Sequence, residues 1–172
     1  MYRRSHKSGF TLMELLLVML VIAVAAAIVA PGFSGFSRGR RLPNTAMALM
    51  TTARWCRVQA IINGTTYHLN IDKFKEQWTV TKDDGTGVFV DVDEKETMGQ
   101  VYTLPDGIQF GDMLFETTEE TDSTEEYVTF KPNGRTDVVT IRLVSNDNGH
   151  FIDVACDMPL GTFHLVSSAE SQ

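Results

Sequence analysis

Phe10 to Ala30 reads FTLMELLLVMLVIAVAAAIVA, and every residue in it is apolar or small except Thr11 and Glu14. A run of ~20 apolar residues is long enough to span a bilayer as a helix, so this stretch predicts a membrane-spanning α-helix. Glu14 does not belong in a plain anchor. A carboxylate in hydrocarbon costs roughly 2.5–3.5 kcal/mol on the insertion scale and needs a partner there. Just upstream lies a short basic leader, MYRRSHKSG, ending at Gly9. Cleavage after Gly9 would make Phe10 a new N-terminus and Glu14 the fifth residue, one helical turn from a free amine. The same amine on a neighbouring copy is a natural counter-ion for Glu14.

Two simpler readings explain less. A secretory signal peptide has a shorter apolar core and a small-residue cut site beyond it, which Ala25-Ala26-Ala27 or Val29-Ala30-Pro31 could imitate. Glu14 would then sit inside the apolar core, where a charge is unwelcome. An ordinary signal anchor explains the length of the run but neither Gly9-Phe10 nor Glu14.

The motif Gly9-Phe10-Thr11-Leu12-Met13-Glu14-Leu15 resembles the processing site of type IV prepilins and type II secretion pseudopilins. The resemblance implies cleavage between Gly9 and Phe10 by a prepilin peptidase on the cytoplasmic face. It also implies N-methylation of Phe10 and filament assembly guided by Glu14.

The bulk properties agree with an anchor plus one globular domain, given 172 residues. Formal net charge is −7. Removing Arg3, Arg4 and Lys7 with the leader leaves 12 basic against 22 acidic residues, near −10. From Leu42 onward there are 9 basic and 21 acidic residues. Such a domain repels itself and binds nucleic acid poorly. The leader cations favour a cytoplasmic N-terminus and export of the body, weakly opposed by Arg38, Arg40 and Arg41 just past the apolar run.

Helical spacing continues beyond the apolar run, so residues 10 to about 62 predict one long, interrupted helix. Pro31-Gly32 and Gly35 mark a break or kink, because proline removes a backbone donor and clashes with the preceding turn. Pro43 marks a second kink or a fresh first turn. Ala46, Leu49, Met50, Ala53, Cys56, Ala60 and Ile61 recur at helical spacing and predict the face that packs on a sheet. Thr51, Arg54, Arg57 and Gln59 face elsewhere, the arginines toward acids of the domain or of a neighbour. Asn63-Gly64 is a stop signal.

After Gly64 the pattern is β. Tyr67, Leu69 and Ile71 alternate with His68, Asn70 and Asp72, the signature of a half-buried strand. A turn at residues 73–76 returns the chain through 77–82, with Trp78 and Val80 in phase. Further strands are predicted at 88–92, 100–104, 108–110, 127–130, 138–144, 151–156 and 162–166. Turn signals at Asp84-Gly85, Pro105-Asp106-Gly107, Pro132-Asn133-Gly134, Asp147-Asn148-Gly149 and Pro159-Leu160-Gly161 punctuate them. The fold class is α+β, a long N-terminal helix packed against antiparallel β-sheets.

In this order, several segments resemble the GspH/FimT group of minor pseudopilins and minor type IV pilins. They are Ala53-Arg54, Ala60-Ile61, Gly64, Leu69-Asn70-Ile71, Trp78, Leu104-Pro105-Asp106-Gly107-Ile108 and Val128-Thr129-Phe130-Lys131-Pro132-Asn133-Gly134, then Gly149, and Gly161 before Thr162-Phe163-His164-Leu165. The resemblance implies a leader at 1–9, a transmembrane and filament-core helix at 10–31, its continuation at 32–64, and a periplasmic β-rich domain at 65–172. It implies a minor pseudopilin at or near the tip of a type II secretion pseudopilus. The implied partners are other pseudopilin or pilin subunits, the inner membrane, and a secreted substrate or outer-membrane channel. Two alternatives stay open: a FimT-like minor type IV pilin serving pilus assembly or DNA uptake, and a signal-anchored periplasmic domain. The tail Val166 to Gln172 carries no cation, which argues against DNA capture.

Export would bring Cys56 and Cys156 into an oxidising compartment. Cys56 lies on the apolar helical face and Cys156 shares a strand face with Ile152 and Val154. A disulfide and two buried thiols are both open readings.

Nothing in the chain reads as catalytic, and no cofactor is expected. His6, His68, His150 and His164 lack metal-type spacing with each other or with cysteine, and the last three read as strand-surface residues. No phosphate loop, nucleophile elbow or zinc-protease helix is present. Glu116, Glu119, Glu120, Asp122, Glu125 and Glu126 form an acidic run that lacks the central glycine of a calcium loop. It reads as a solvated loop. Trp55 and Trp78 suit either the core or a subunit contact.

Overall fold

A computed structural model describes residues 11–92, 101–116 and 126–167; between residues 28 and 38 it describes the backbone of the helix. The chain divides into two compact units between Arg40 and Arg41.

The first unit holds helix α1 (Leu12–Gly39). Thr11 caps it: its Oγ1 accepts a hydrogen bond from the Glu14 amide at 3.2 Å, and its carbonyl accepts from the amides of Glu14 and Leu15 at 3.1 and 3.2 Å. A threonine there satisfies amides that the first helical turn leaves without partners. The side chains from Leu12 to Ala27 are all exposed. Among the described residues, no helix is long and apolar enough to cross a membrane. Of the break or kink expected at Pro31-Gly32 and Gly35, no break occurs. The helix runs unbroken to Gly39 and is interrupted at Arg40. One proline costs a helix one hydrogen bond and a bend, which a long helix tolerates, whereas Gly39 lowers helix propensity at its last position.

The second unit begins with α2 (Arg41–Asn63). Pro43 falls in its first turn, where a missing N–H costs nothing. The predicted apolar face is buried from Leu42 through Ala60 and also takes in Thr45 and Thr52. The Thr52 hydroxyl returns to the Ala48 carbonyl at 3.1 Å. Ile61 departs from the expectation. It is 53% exposed, because in the last turn its side chain lies beside the Gly134 turn rather than over the sheets. The helix stops at Asn63, and Gly64 takes φ 64°, a left-handed conformation that favours glycine.

Nine strands follow among the described residues: β1 (Tyr67–Asp72), β2 (Gln77–Asp83), β3 (Phe89–Asp91), β4 (Tyr102–Thr103), β5 (Ile108–Phe115), β6 (Glu126–Phe130), β7 (Val139–Ser145), β8 (Phe151–Cys156) and β9 (His164–Ser167). The first sheet has the order β3-β2-β1-β6, with β4 also on β2. The second has the order β5-β7-β8-β9. Every pairing between these strands is antiparallel. Helix α2 packs on both sheets, against β1 and β6 of the first and β7, β8 and β9 of the second.

Register decides which face of the first sheet is wet. Leu69 stands opposite both Val80 and Val128, and Ile71 opposite Trp78. With a side-chain period of two, these residues share the inner face with Tyr67 and Phe130, all buried. His68, Asn70, Thr79 and Thr81 are thereby turned outward. Trp78 is a core residue, stacked on Tyr102 at 4.0 Å and edge-on to Phe110 at 6.4 Å. Trp55 is half-buried and meets Tyr67 edge-on at 6.0 Å.

Strand β5 extends past the predicted Phe110 to Phe115. Its register with β7 shifts between Phe110 and Met113. A Cβ at Gly111 would lie 3.0 Å from Arg142 Cγ, so the bulge needs a residue without a side chain. Gly111-Asp112 breaks the alternation that the sequence reading depends on.

Candidate assembly surfaces

Helix α2 carries three arginines, Arg41, Arg54 and Arg57, that reach main-chain carbonyls of the domain. Arg41 Nη1 donates to the Asp106 carbonyl at 2.9 Å. Arg54 donates through Nε and Nη2 to the Phe163 carbonyl at 3.2 and 2.6 Å. Arg57 reaches three carbonyls: Nε to Gly134 at 2.8 Å, Nη2 to Pro159 at 2.9 Å, and Nη1 to Gly161. The sequence reading expected acids as partners for Arg54 and Arg57, and the partners in the described domain are main-chain carbonyls. Turns leave carbonyls outside any ladder, and each buried one needs a donor. The planar guanidinium, with five N–H groups, can serve several at once.

These bonds fasten the loop at 157–161 to the turn at 131–134. The Thr136 amide donates to Pro159 O at 2.8 Å, and the Gly161 amide to Met158 O at 2.7 Å. A Cβ on Gly161 would meet Met158 O at 3.0 Å, so the close approach requires glycine. Met158 and Leu160 flank Pro159 and are 64% and 66% exposed. The result is two apolar side chains held out on a stapled loop, a surface suited to a protein contact.

Cys56 and Cys156 are free and buried. The Cys156 Sγ points at the carbonyls of Met158 and Gly161, at 3.2 and 3.6 Å. Burial pushes both thiols above the ordinary thiol range, with the nearby Arg57 charge working the other way at Cys156. A thiol without its thiolate is a poor nucleophile. Native protein treated with iodoacetamide at pH 8 should therefore gain no adduct, and urea-unfolded protein two. Intact mass reads both states. Adducts in the native state would contradict the burial, and none in urea without reductant would mean a disulfide.

The three histidines outside the leader stand in different surroundings. His150 is exposed, and His164 Nε2 lies 3.5 Å from Asp157. His68 is half-buried, stacked between Phe89 at 3.6 Å and Tyr127 at 4.4 Å. Among the described residues, no group of three or more His, Cys, Asp or Glu side chains could hold a metal ion. Of the acidic run, Glu126 pairs with Lys73 at 2.7 Å; Glu119, Glu120, Asp122 and Glu125 lie outside the described residues, as do Gly9 and Phe10. Glu14 is exposed in the first turn of α1.

Known proteins supply the frame for these surfaces. Residues 4–30 match the prokaryotic N-terminal methylation motif, and residues 45–157 match the family model of type II transport protein GspH. The chain belongs to the GspH family. A type II secretion system protein H from Xanthomonas campestris pv. campestris is 35% identical to this GspH family member over 75 residues. That alignment covers 44% of each chain, so the similarity spans less than half of the curated relative. The minor pseudopilin EpsH from the type 2 secretion system of Vibrio cholerae superposes with a TM-score of 0.59 at 16% identity. It covers 76% of this chain and 99% of EpsH. The type IV minor pilin FimU of Pseudomonas aeruginosa superposes with a TM-score of 0.53 at 14% identity, covering 78% and 95%. At such identities the likeness is one of fold: the GspH family member has the pilin-like α+β architecture.

Proposed function

We propose that the protein is a minor pseudopilin, a structural subunit of a type II secretion pseudopilus. What carries this reading is the order of two matches on one chain, a methylation motif at 4–30 followed by the GspH domain at 45–157. In this reading residues 10–31 anchor the precursor in the inner membrane, and the β-rich domain lies in the periplasm. A prepilin peptidase cuts between Gly9 and Phe10 and methylates the new amine. The subunit then joins other pseudopilins, with its apolar N-terminal helix inside the filament and Glu14 facing the Phe10 amine of a neighbour. The exposed Met158–Leu160 loop fits a contact with another subunit, a secreted substrate or the outer-membrane channel near the tip.

In-cell cross-linking from position 158 or 160 tests the role. Capture of other pseudopilins, identified by mass spectrometry, is the expected result. Capture of type IV pilus subunits instead would replace the secretion reading with that of a minor pilin. Processing has its own test. Gly9→Ser should keep residues 1–9 attached, leaving the intact mass at that of the full chain, while the parent loses the leader and gains a methyl group. A parent that keeps its leader in cells with an active peptidase would overturn the reading.

A further inference from the structure

We infer that the outer face of the first sheet binds a neutral saccharide chain. This site shares no residue with the stapled loop. An open trough of about 1200 Å³ runs over β1, β2, β3 and β6 and the hairpin joining β1 to β2. Drug-sized ligands occupy pockets of about 300–1,000 Å³, so the trough has room for more than one ring.

Its floor is built of amides and hydroxyls: Asn70 from β1, and Gln77, Thr79 and Thr81 from β2. Asn70 stands opposite Thr79 in the register and donates through Nδ2 to Thr81 Oγ1 at 3.1 Å. Each of these groups both donates and accepts, which matches the dual character of a sugar hydroxyl. Rings close the ends. Phe89, His68 and Tyr127 form a stacked column on one side. At the hairpin tip Phe74 is 97% exposed, and the turn beneath it is rigid. Asp72 Oδ1 accepts from the amides of Phe74 and Lys75 at 3.0 and 2.9 Å. These bonds tie the backbone of the turn, and the exposed ring on it offers a face to the apolar C–H face of a ligand ring.

Charge selects among ligand classes. The four charged side chains that line the trough pair with each other, Lys73 with Glu126 at 2.7 Å and Lys75 with Asp72 at 3.2 Å. Burial holds His68 below the ordinary histidine range, against the pull of Asp137 and Asp83, so it is neutral at neutral pH. The trough therefore presents no net charge to a phosphate or a polyanion. The second oxygen of Glu126 is buried and has no hydrogen-bond partner among the described residues. The central strands β1 and β2 each have paired neighbours on both sides, so the floor of the trough offers no backbone edge for an added strand.

The test titrates the full chain, in a detergent without a sugar headgroup, with a four-residue N-acetylglucosamine oligomer and a four-residue glucose oligomer. Calorimetry or ligand-observed NMR reads the binding. Saturable binding of at least one oligomer is expected. Thr79→Val removes a hydroxyl from a strand position that keeps its β-branched shape, and Phe74→Ala removes a ring that the fold leaves exposed. Each should weaken binding about three- to tenfold, with circular dichroism unchanged. No saturable binding at millimolar oligomer overturns the inference, as does binding that both variants retain in full. Saturable binding of a neutral peptide of like length, without the saccharides, assigns the trough to a different ligand class and overturns it too.

Discussion

Glu14→Ala and Glu14→Gln should both insert into the membrane, and both should fail to enter filaments. The pair of variants matters because the structure supplies a rival role for this residue. Thr11 caps α1 through the Glu14 amide, and Thr-x-x-Glu is the spacing of a capping box. A glutamine at that position keeps the capping capacity and removes the charge. If Glu14 serves as counter-ion to a neighbour's amine, the amide fails as the methyl does. Leaving one member of a buried ion pair alone costs about 3–5 kcal/mol, which corresponds to roughly two to four orders of magnitude in incorporation. Losing a cap costs about 1 kcal/mol, too little to empty a filament. The measurement is the fraction of subunit recovered in filaments against membranes, by immunoblot of fractionated cells. Normal incorporation of Glu14→Gln, which carries no charge, would end the counter-ion reading whatever Glu14→Ala does.

Arg57→Ala should lower the stability of the β-rich unit by about 3 kcal/mol, since it removes three charge-assisted hydrogen bonds at once and leaves the Gly134 carbonyl without that donor, while Pro159 keeps the Thr136 amide. At about 2–4 °C per kcal/mol for a chain of this size, the midpoint should fall by about 6–12 °C. Arg57→Lys should recover little, because a compact ammonium cannot span Gly134, Pro159 and Gly161 as the planar fork does. Arg54→Ala should cost less, because that more exposed side chain serves one carbonyl, at Phe163. Thermal unfolding followed by circular dichroism decides it. A loss below about 1 kcal/mol for Arg57→Ala would mean that water satisfies those carbonyls and that the staple adds little.

The cost of losing Arg57 was not legible in the chain. A carbonyl carries no residue identity, so no motif announces that Gly134, Pro159 and Gly161 will converge on one guanidinium. Opposite charges are what a sequence displays, and so acids were the expected partners. Ile61 failed for a related reason. Its spacing belongs to the buried face, yet spacing does not say where the sheet beneath ends. His68 has the polar phase of its strand and reads as surface. Its stacking between Phe89 and Tyr127 requires three strands that are remote in the chain to pair in one register.

What the sequence determined by itself is whatever depends on neighbours along the chain. The alternation in 67–72 and 77–83, the helical stripe from Ala46 to Ala60, the stop at Asn63-Gly64 and the apolar run with its one carboxylate are all of this kind. Backbone geometry imposes periods of two and 3.6 on any amphipathic element, so the pattern survives without knowledge of the fold. Tertiary structure alone decided the order of the strands, the bulge at Gly111, the stapling of the 157–161 loop and the closure of the polar trough. Each of these joins groups far apart in sequence, and their energies depend on distance in space, which a linear pattern does not encode.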